Sequence, residues 1–175
     1  LKGLFQKGLD ELGITDKPED ITITLLSQGS ATENQLEREY LQQSISQNLG
    51  VKVELNTVGD YQMFANERDN KNYDIFVGGW FSDFNVPLDF LNVMKTGVYD
   101  SYGLYSNSEY DSLIDSLTGE NDNAKRLEIY QKLEDLLVAQ DCGVAPLYYS
   151  DKHYYYRNWV KDFYTSSFGA SQELY

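Results

Sequence analysis

Apolar residues recur along this chain first at helical spacing and then at strand spacing. In LKGLFQKGLDELG, residues 1–13, Leu4, Phe5, Leu9 and Leu12 fall near one face of a helix, and Gly13 is placed to stop it. A turn at Asp16-Lys17-Pro18 leads into ITITLLS at 21–27, whose β-branched and apolar content predicts a buried strand. From Thr32 a capping-type start opens a helix in which Leu36, Tyr40, Leu41, Ile45 and Leu49 form a stripe and Gly50 marks the end. VKVELNTV at 51–58 alternates as a second strand, GDYQMFANERDN predicts a short helix, and YDIFVGGW at 73–80 is a third strand. Downstream the pattern predicts a short helix at PLDFLNVM opened by Pro87, a polar loop over 96–107, and helices over 108–119 and 121–141. The second of these helices carries Leu127, Tyr130, Leu133, Leu136 and Leu137, positions suited to packing. A fourth strand is predicted at VAPLYYS, 144–150, before a tail of little regular pattern.

Strand, helix, strand, helix, strand is the signature of an α/β fold: a parallel sheet with right-handed crossovers and helices on both faces. Ligands of such sheets sit beyond the carboxyl ends of the strands, where the strand order reverses. The third strand ends at Gly78-Gly79-Trp80.

Composition narrows the function. The 175 residues suit one domain, and 14 basic against 28 acidic side chains give a net charge of −14. That charge repels phosphate backbones and anionic headgroups, which excludes nucleic acid and the membrane surface as partners. Fifteen tyrosines suit a binding surface, since each joins broad apolar contact to a hydrogen-bonding tip. Cys142 is the single cysteine, read as a small buried hydrophobe near a helix end, so no intrachain disulfide forms. With His153 as the single histidine, no structural zinc site is expected. No apolar run is long enough to cross a bilayer, and the first residues lack a signal peptide's pattern. Because Leu1 opens inside what reads as a helix, a fragment or processed product is expected.

Neither a phosphate-binding glycine loop nor a GxSxG turn occurs, and no cofactor or metal is expected. Asp100 and Asp122 do not follow calcium-loop spacing and read as solvated loop residues. A paired-carboxylate hydrolase has only the abundance of acids in its favour.

GGWFSD, 78–83, invites two readings. A glycine pair ending a strand lets another backbone approach and borrow N–H and C=O groups, while Asp83 just beyond can pair with an ammonium. Trp80 and Phe81 point to opposite faces of an extended segment, so one packs inside while the other lines a pocket. Alternatively the glycines only turn the chain, Trp80 is core, and Asp83 caps the PLDF helix region.

The run YDIFVGGWFSDFNVPLDFLN, then SEYDSLIDSL, then AKRLEIYQKLEDLLVAQDCGVAPLYY closely resembles the C-terminal lobe of the oligopeptide- and dipeptide-binding proteins of ABC importers, bacterial extracellular solute-binding protein family 5. The residues that carry it are Gly79-Trp80, Asp83-Phe84, Pro87, Phe90-Leu91, Tyr110-Asp111, Arg126 with Tyr130, and Pro146 to Tyr149; GLDELGI and NLGVKVEL also match. The resemblance implies a three-layer sandwich around a mixed, mostly parallel sheet, a type II periplasmic-binding-protein-like lobe spanning 1–175, with 150–175 returning toward a missing N-terminal lobe. It implies a non-enzymatic receptor that buries an extended oligopeptide: Gly79 and Phe81 offer main-chain groups, Asp83 holds the peptide's amine, and Trp80 and Tyr149 wall the pocket. An ABC permease as partner, export, and a lipid anchor or a periplasmic location follow from the same resemblance. Val86 stands where the family often has an acid, which leaves the fold assignment intact and opens the ligand class. The alternative from another class is a protein-interaction or sensor module using the tyrosine-rich surface.

Overall fold

The computed structural model describes residues 1–29, 32, 34–98, 104–149, 153–165 and 172–174. Asp100 lies outside the described residues. The chain divides into two compact units, Leu1–Gly79 and Trp80–Tyr175.

In the first unit β1 (Thr22–Gln28), β2 (Lys52–Val58) and β3 (Ile75–Val77) form a parallel sheet in the order β2-β1-β3. The register sets Leu25 against both Leu55 and Ile75, so Ile23, Leu25, Val53, Leu55 and Val77 share one face. On that face α1 (Lys2–Glu11) contributes Phe5, and α2 (Gln35–Leu49) contributes Leu41, Ile45 and Leu49, around a core of Leu25, Val51 and Val53. Leu26 and Phe76 point the other way, where Phe64 of α3 (Tyr61–Asp69) meets Phe76 edge-on with ring centroids 6.3 Å apart. Helices therefore cover both sides of the sheet, as the alternation of elements demands. Asp60 caps α3, its carboxylate accepting the amides of Gln62 at 2.9 Å and Met63 at 3.1 Å. A second aspartate ties β3 to β1: the amide of Thr24 donates to Asp74 Oδ2 at 2.7 Å, and the amide of Asp74 donates to the Thr24 carbonyl at 3.0 Å.

Two expectations for this unit change. The α2 helix starts at Gln35 behind Asn34, a left-handed residue (φ 53°) whose side chain makes no cap bond, in place of a cap from Thr32. Its stripe is half used: Leu36 and Tyr40 are exposed, as are Leu4 and Leu12 of α1, because helical spacing fixes a face but not how far a neighbour extends along it.

The second unit is built around α4 (Leu88–Leu91), α5 (Ser108–Ser116) and α6 (Asn123–Glu134), the last running into a π-helical turn, Asp135–Gln140. Leu91, Val93, Met94, Tyr110, Ile114, Leu117, Tyr130, Leu133, Leu136 and Leu137 make its core, while Leu127 is exposed. Tyr110 is fully enclosed, and its hydroxyl donates to the Leu91 carbonyl at 2.7 Å. Arg126 closes α5: Nη1 donates to the carbonyls of Leu117 at 3.3 Å and Glu120 at 3.0 Å, and Nη2 to the Tyr130 hydroxyl at 2.8 Å. Asp122 is the cap of α6, accepting the amide of Ala124 at 2.8 Å. Past the π turn Cys142 is exposed with φ 51°, not the buried position expected, because the chain reverses there instead of continuing into the core. No strand forms over the described residues 144–149; β4 (Phe163–Thr165) and β5 (Gln172–Leu174) pair antiparallel in the tail read as patternless.

The reversal is held by Asp141, whose Oδ2 accepts the Tyr105 hydroxyl and the Asn107 amide, each at 2.7 Å. Those two bonds, Tyr105 first, hold the exposed Asp141 carboxyl below its ordinary value of 3.8. Burial, then the bond to Asp141 and that acid's charge, push the Tyr105 phenol well above 10.0. For the lowered acid the contribution to stability is present above its ordinary value and lost as pH falls through the folded one; for the raised phenol it is present below about 10 and lost at higher pH. Tyr105→Phe is expected to return the Asp141 carboxyl toward 3.8 in a carbon-detected NMR titration. Gly143 lies close to the same tyrosine: a Cβ there would stand 2.7 Å from the Tyr105 ring and 3.1 Å from Leu137. Gly143→Ala is expected to cost about 1–3 kcal/mol in chemical denaturation.

Candidate functional site

Each strand of the sheet runs out in glycine: β1 into Gly29, β2 into Gly59, and β3 into Gly78-Gly79. Gly29 has φ 143°, a conformation that side chains resist, and its amide donates to the Val58 carbonyl at 3.0 Å. A Cβ on Gly59 would stand 3.9 Å from the Gly29 carbonyl oxygen. The carboxyl edge of the sheet is therefore built of main chain, with the hydroxyls of Ser27 and Thr57 3.3 Å apart behind it. Strand order β2-β1-β3 reverses direction of growth at β1, so the switch point lies between β1 and β3.

Gly79 closes the first unit. It is exposed, a Cβ on it would meet nothing within 4 Å, and its φ lies outside the left-handed range. Neither crowding by the described residues nor backbone conformation asks for glycine there.

The second unit begins with Trp80, half-buried against the cluster around Leu91, whereas Phe81 is 64% exposed. Ser82 is buried, its hydroxyl donating to the Phe84 carbonyl. The amide of Asp83 donates to Asp89 Oδ2 at 2.8 Å, and the amides of Val86 and Asp89 donate to the Phe84 and Val86 carbonyls at 2.8 and 3.1 Å. Residues 82–89 thus fold back on themselves, and the capping role considered for Asp83 is reversed: the helical aspartate accepts from Asp83, and α4 has no side-chain cap. The Asp83 carboxylate is exposed and enters none of the ion pairs among the described residues. Tyr149 is 96% exposed, in an irregular stretch of this unit. Asp89 and Ser82 escaped the reading of the sequence; an acid in the first turn behind Pro87, six residues from Asp83, was the available signal. Among the described residues no group of three or more His, Cys, Asp or Glu side chains is placed to hold a metal ion, and no helix is long and apolar enough to cross a membrane.

Residues 6–101, more than half of the chain, match the bacterial extracellular solute-binding proteins, family 5 Middle. The chain belongs to this family. This family-5 chain is 30% identical over 163 residues to the oligopeptide-binding protein OppA of Bacillus subtilis strain 168, an alignment covering 92% of the chain and 28% of that protein. To the periplasmic oligopeptide-binding protein OppA of Salmonella typhimurium it is 32% identical over 157 residues, covering 89% of the chain and 28% of the relative. A solved oligopeptide ABC transporter substrate-binding domain from Bacillus anthracis str. Ames superposes with a TM-score of 0.72 at 30% identity, over 85% of this chain and 28% of that one. The chain thus spans little more than a quarter of the length of these relatives. The α/β, periplasmic-binding-protein-like fold class is that of these structures, and the family is one of solute-binding proteins, not enzymes.

Because a Cβ on Gly79 would meet nothing within 4 Å among the described residues, Gly79→Ala is expected to leave the thermal unfolding midpoint unchanged or slightly raised, a change within about 1 kcal/mol. A large drop would mean that a methyl group is crowded where this geometry leaves room for it.

Proposed function

We propose that residues 1–175 form the C-terminal ligand-binding lobe of the extracellular receptor of an ABC peptide importer, holding an extended oligopeptide by main-chain pairing and by a salt bridge to its N-terminal amine. Gly79 and Phe81 lend the peptide their main-chain groups, Asp83 holds the amine, and Trp80 and Tyr149 wall the pocket. The observation that carries this reading is a glycine around which the described residues leave room for a side chain, followed four residues later by an exposed carboxylate on a loop pinned through its own amide. Main-chain pairing recognises a peptide without reading its side chains, and a carboxylate adds a charge-assisted bond at one end. The names of the relatives, oligopeptide-binding proteins at 28% coverage, support the same ligand class. An N-terminal lobe and an ABC permease complete the assembly, located in a periplasm or lipid-anchored at the outer face of the membrane.

NMR titration of the 175-residue chain with trialanine and with N-acetyltrialanine tests it, since shift mapping detects millimolar binding. The free amine is expected to bind about tenfold more tightly, and Asp83→Asn to erase the difference. Equal affinities for the two peptides refute the role of Asp83.

The exposed aromatics Tyr149, Tyr155, Tyr156 and Trp159 favour a second reading, a module that docks on another protein. A partner that stays bound to the chain in excess trialanine would support it.

A further inference from the structure

Asp89 is given no role of its own in the reading above, yet it supplies the acceptor that pins the Asp83 amide. Its carboxylate accepts the Asp83 amide at 2.8 Å, a charge-assisted hydrogen bond that sets the peptide plane ahead of the Asp83 Cα and so the direction in which that side chain leaves the loop. Asp89 is itself anchored. It sits in α4 between Leu88, packed against the core, and Leu91, buried in it, and the Leu91 carbonyl accepts the hydroxyl of the enclosed Tyr110 at 2.7 Å. From Tyr110 to Leu91, along α4 to Asp89 and across to the Asp83 amide, each step is a packed side chain or a hydrogen bond within one unit. Ser82, buried one residue earlier and bonded to the Phe84 carbonyl, holds the other side of the turn.

We infer that Asp89 is a positioning residue for the amine site: it preorganises the exposed Asp83 carboxylate by gripping the Asp83 main chain from the helical core. This inference rests on the proposed amine role of Asp83. Preorganisation lowers the ordering cost of binding, so the effect of Asp89 should appear in the preference for a free amine, not in peptide affinity at large. The grip needs an acceptor oxygen rather than a charge, and Asn in place of Asp retains one.

The ratio of the dissociation constants for N-acetyltrialanine and trialanine, measured by NMR titration of the 175-residue chain, is the readout. In Asp89→Ala the ratio is expected to fall roughly three- to tenfold, while Asp89→Asn stays within about twofold of the unmodified chain. A full preference surviving in Asp89→Ala overturns the inference, as does an Asp89→Asn loss as large as that of Asp89→Ala, which would leave charge alone as the cause. A ratio of one in the unmodified chain would instead strike the amine role itself and this inference with it. Amide hydrogen exchange gives a check that needs no variant: the Asp83 amide should exchange more slowly than an unstructured amide of the same local sequence, and an unprotected amide overturns the grip.

Discussion

The pairing of β3 with β1 is the constraint on which the first unit depends. It covers three residue pairs, and just ahead of them Asp74 binds Thr24 twice, once through its carboxylate and once through its amide. In a strand this short, a slip of one residue would turn Phe76 away from Phe64 and send Ile75 and Val77 to the opposite face. The same slip would move Gly78-Gly79 relative to the carboxyl edge of β1. An aspartate at the entry of the strand therefore decides where its glycines emerge.

The second unit packs α4, α5 and α6 against one another around a single apolar cluster. Much of what carries the family resemblance there is structural chemistry. Tyr110 is the enclosed centre, and Asp111 beside it accepts the Thr96 amide at 3.0 Å. Arg126, one turn before Tyr130 on α6 and bonded to its hydroxyl, donates to the carbonyls of Leu117 and Glu120 in the turn that follows α5. Asp141 then gathers Tyr105 and Asn107 at the reversal after the π turn. Such residues carry the family resemblance through contacts within the unit itself.

Most elements were legible because their signals are local. The strand-helix alternation, the stripe of Leu41, Ile45 and Leu49, and the terminating Gly50 each depend on neighbours within a few positions. Over its described residues, 144–149, VAPLYYS forms no strand, because apolar content describes a residue's preference and not its partner. Cys142 failed for a related reason: its small apolar side chain suits a core, but a left-handed turn set by its surroundings carries it outward. At the candidate site, the exposed Asp83 carboxylate could be guessed from order along the chain. The grip of Asp89 could not, since a bond from a loop amide to a helical carboxylate depends on the angle at which the turn folds back.

The exposure of Cys142 bears on handling of the protein. As the single cysteine among these 175 residues it has no thiol within them to meet, so a disulfide of the 175-residue chain can join it only to an outside thiol, most simply the same residue of a second molecule. A disulfide-linked pair would then be an accident of storage in air, removed by a reducing agent, and no sign of a natural oligomer.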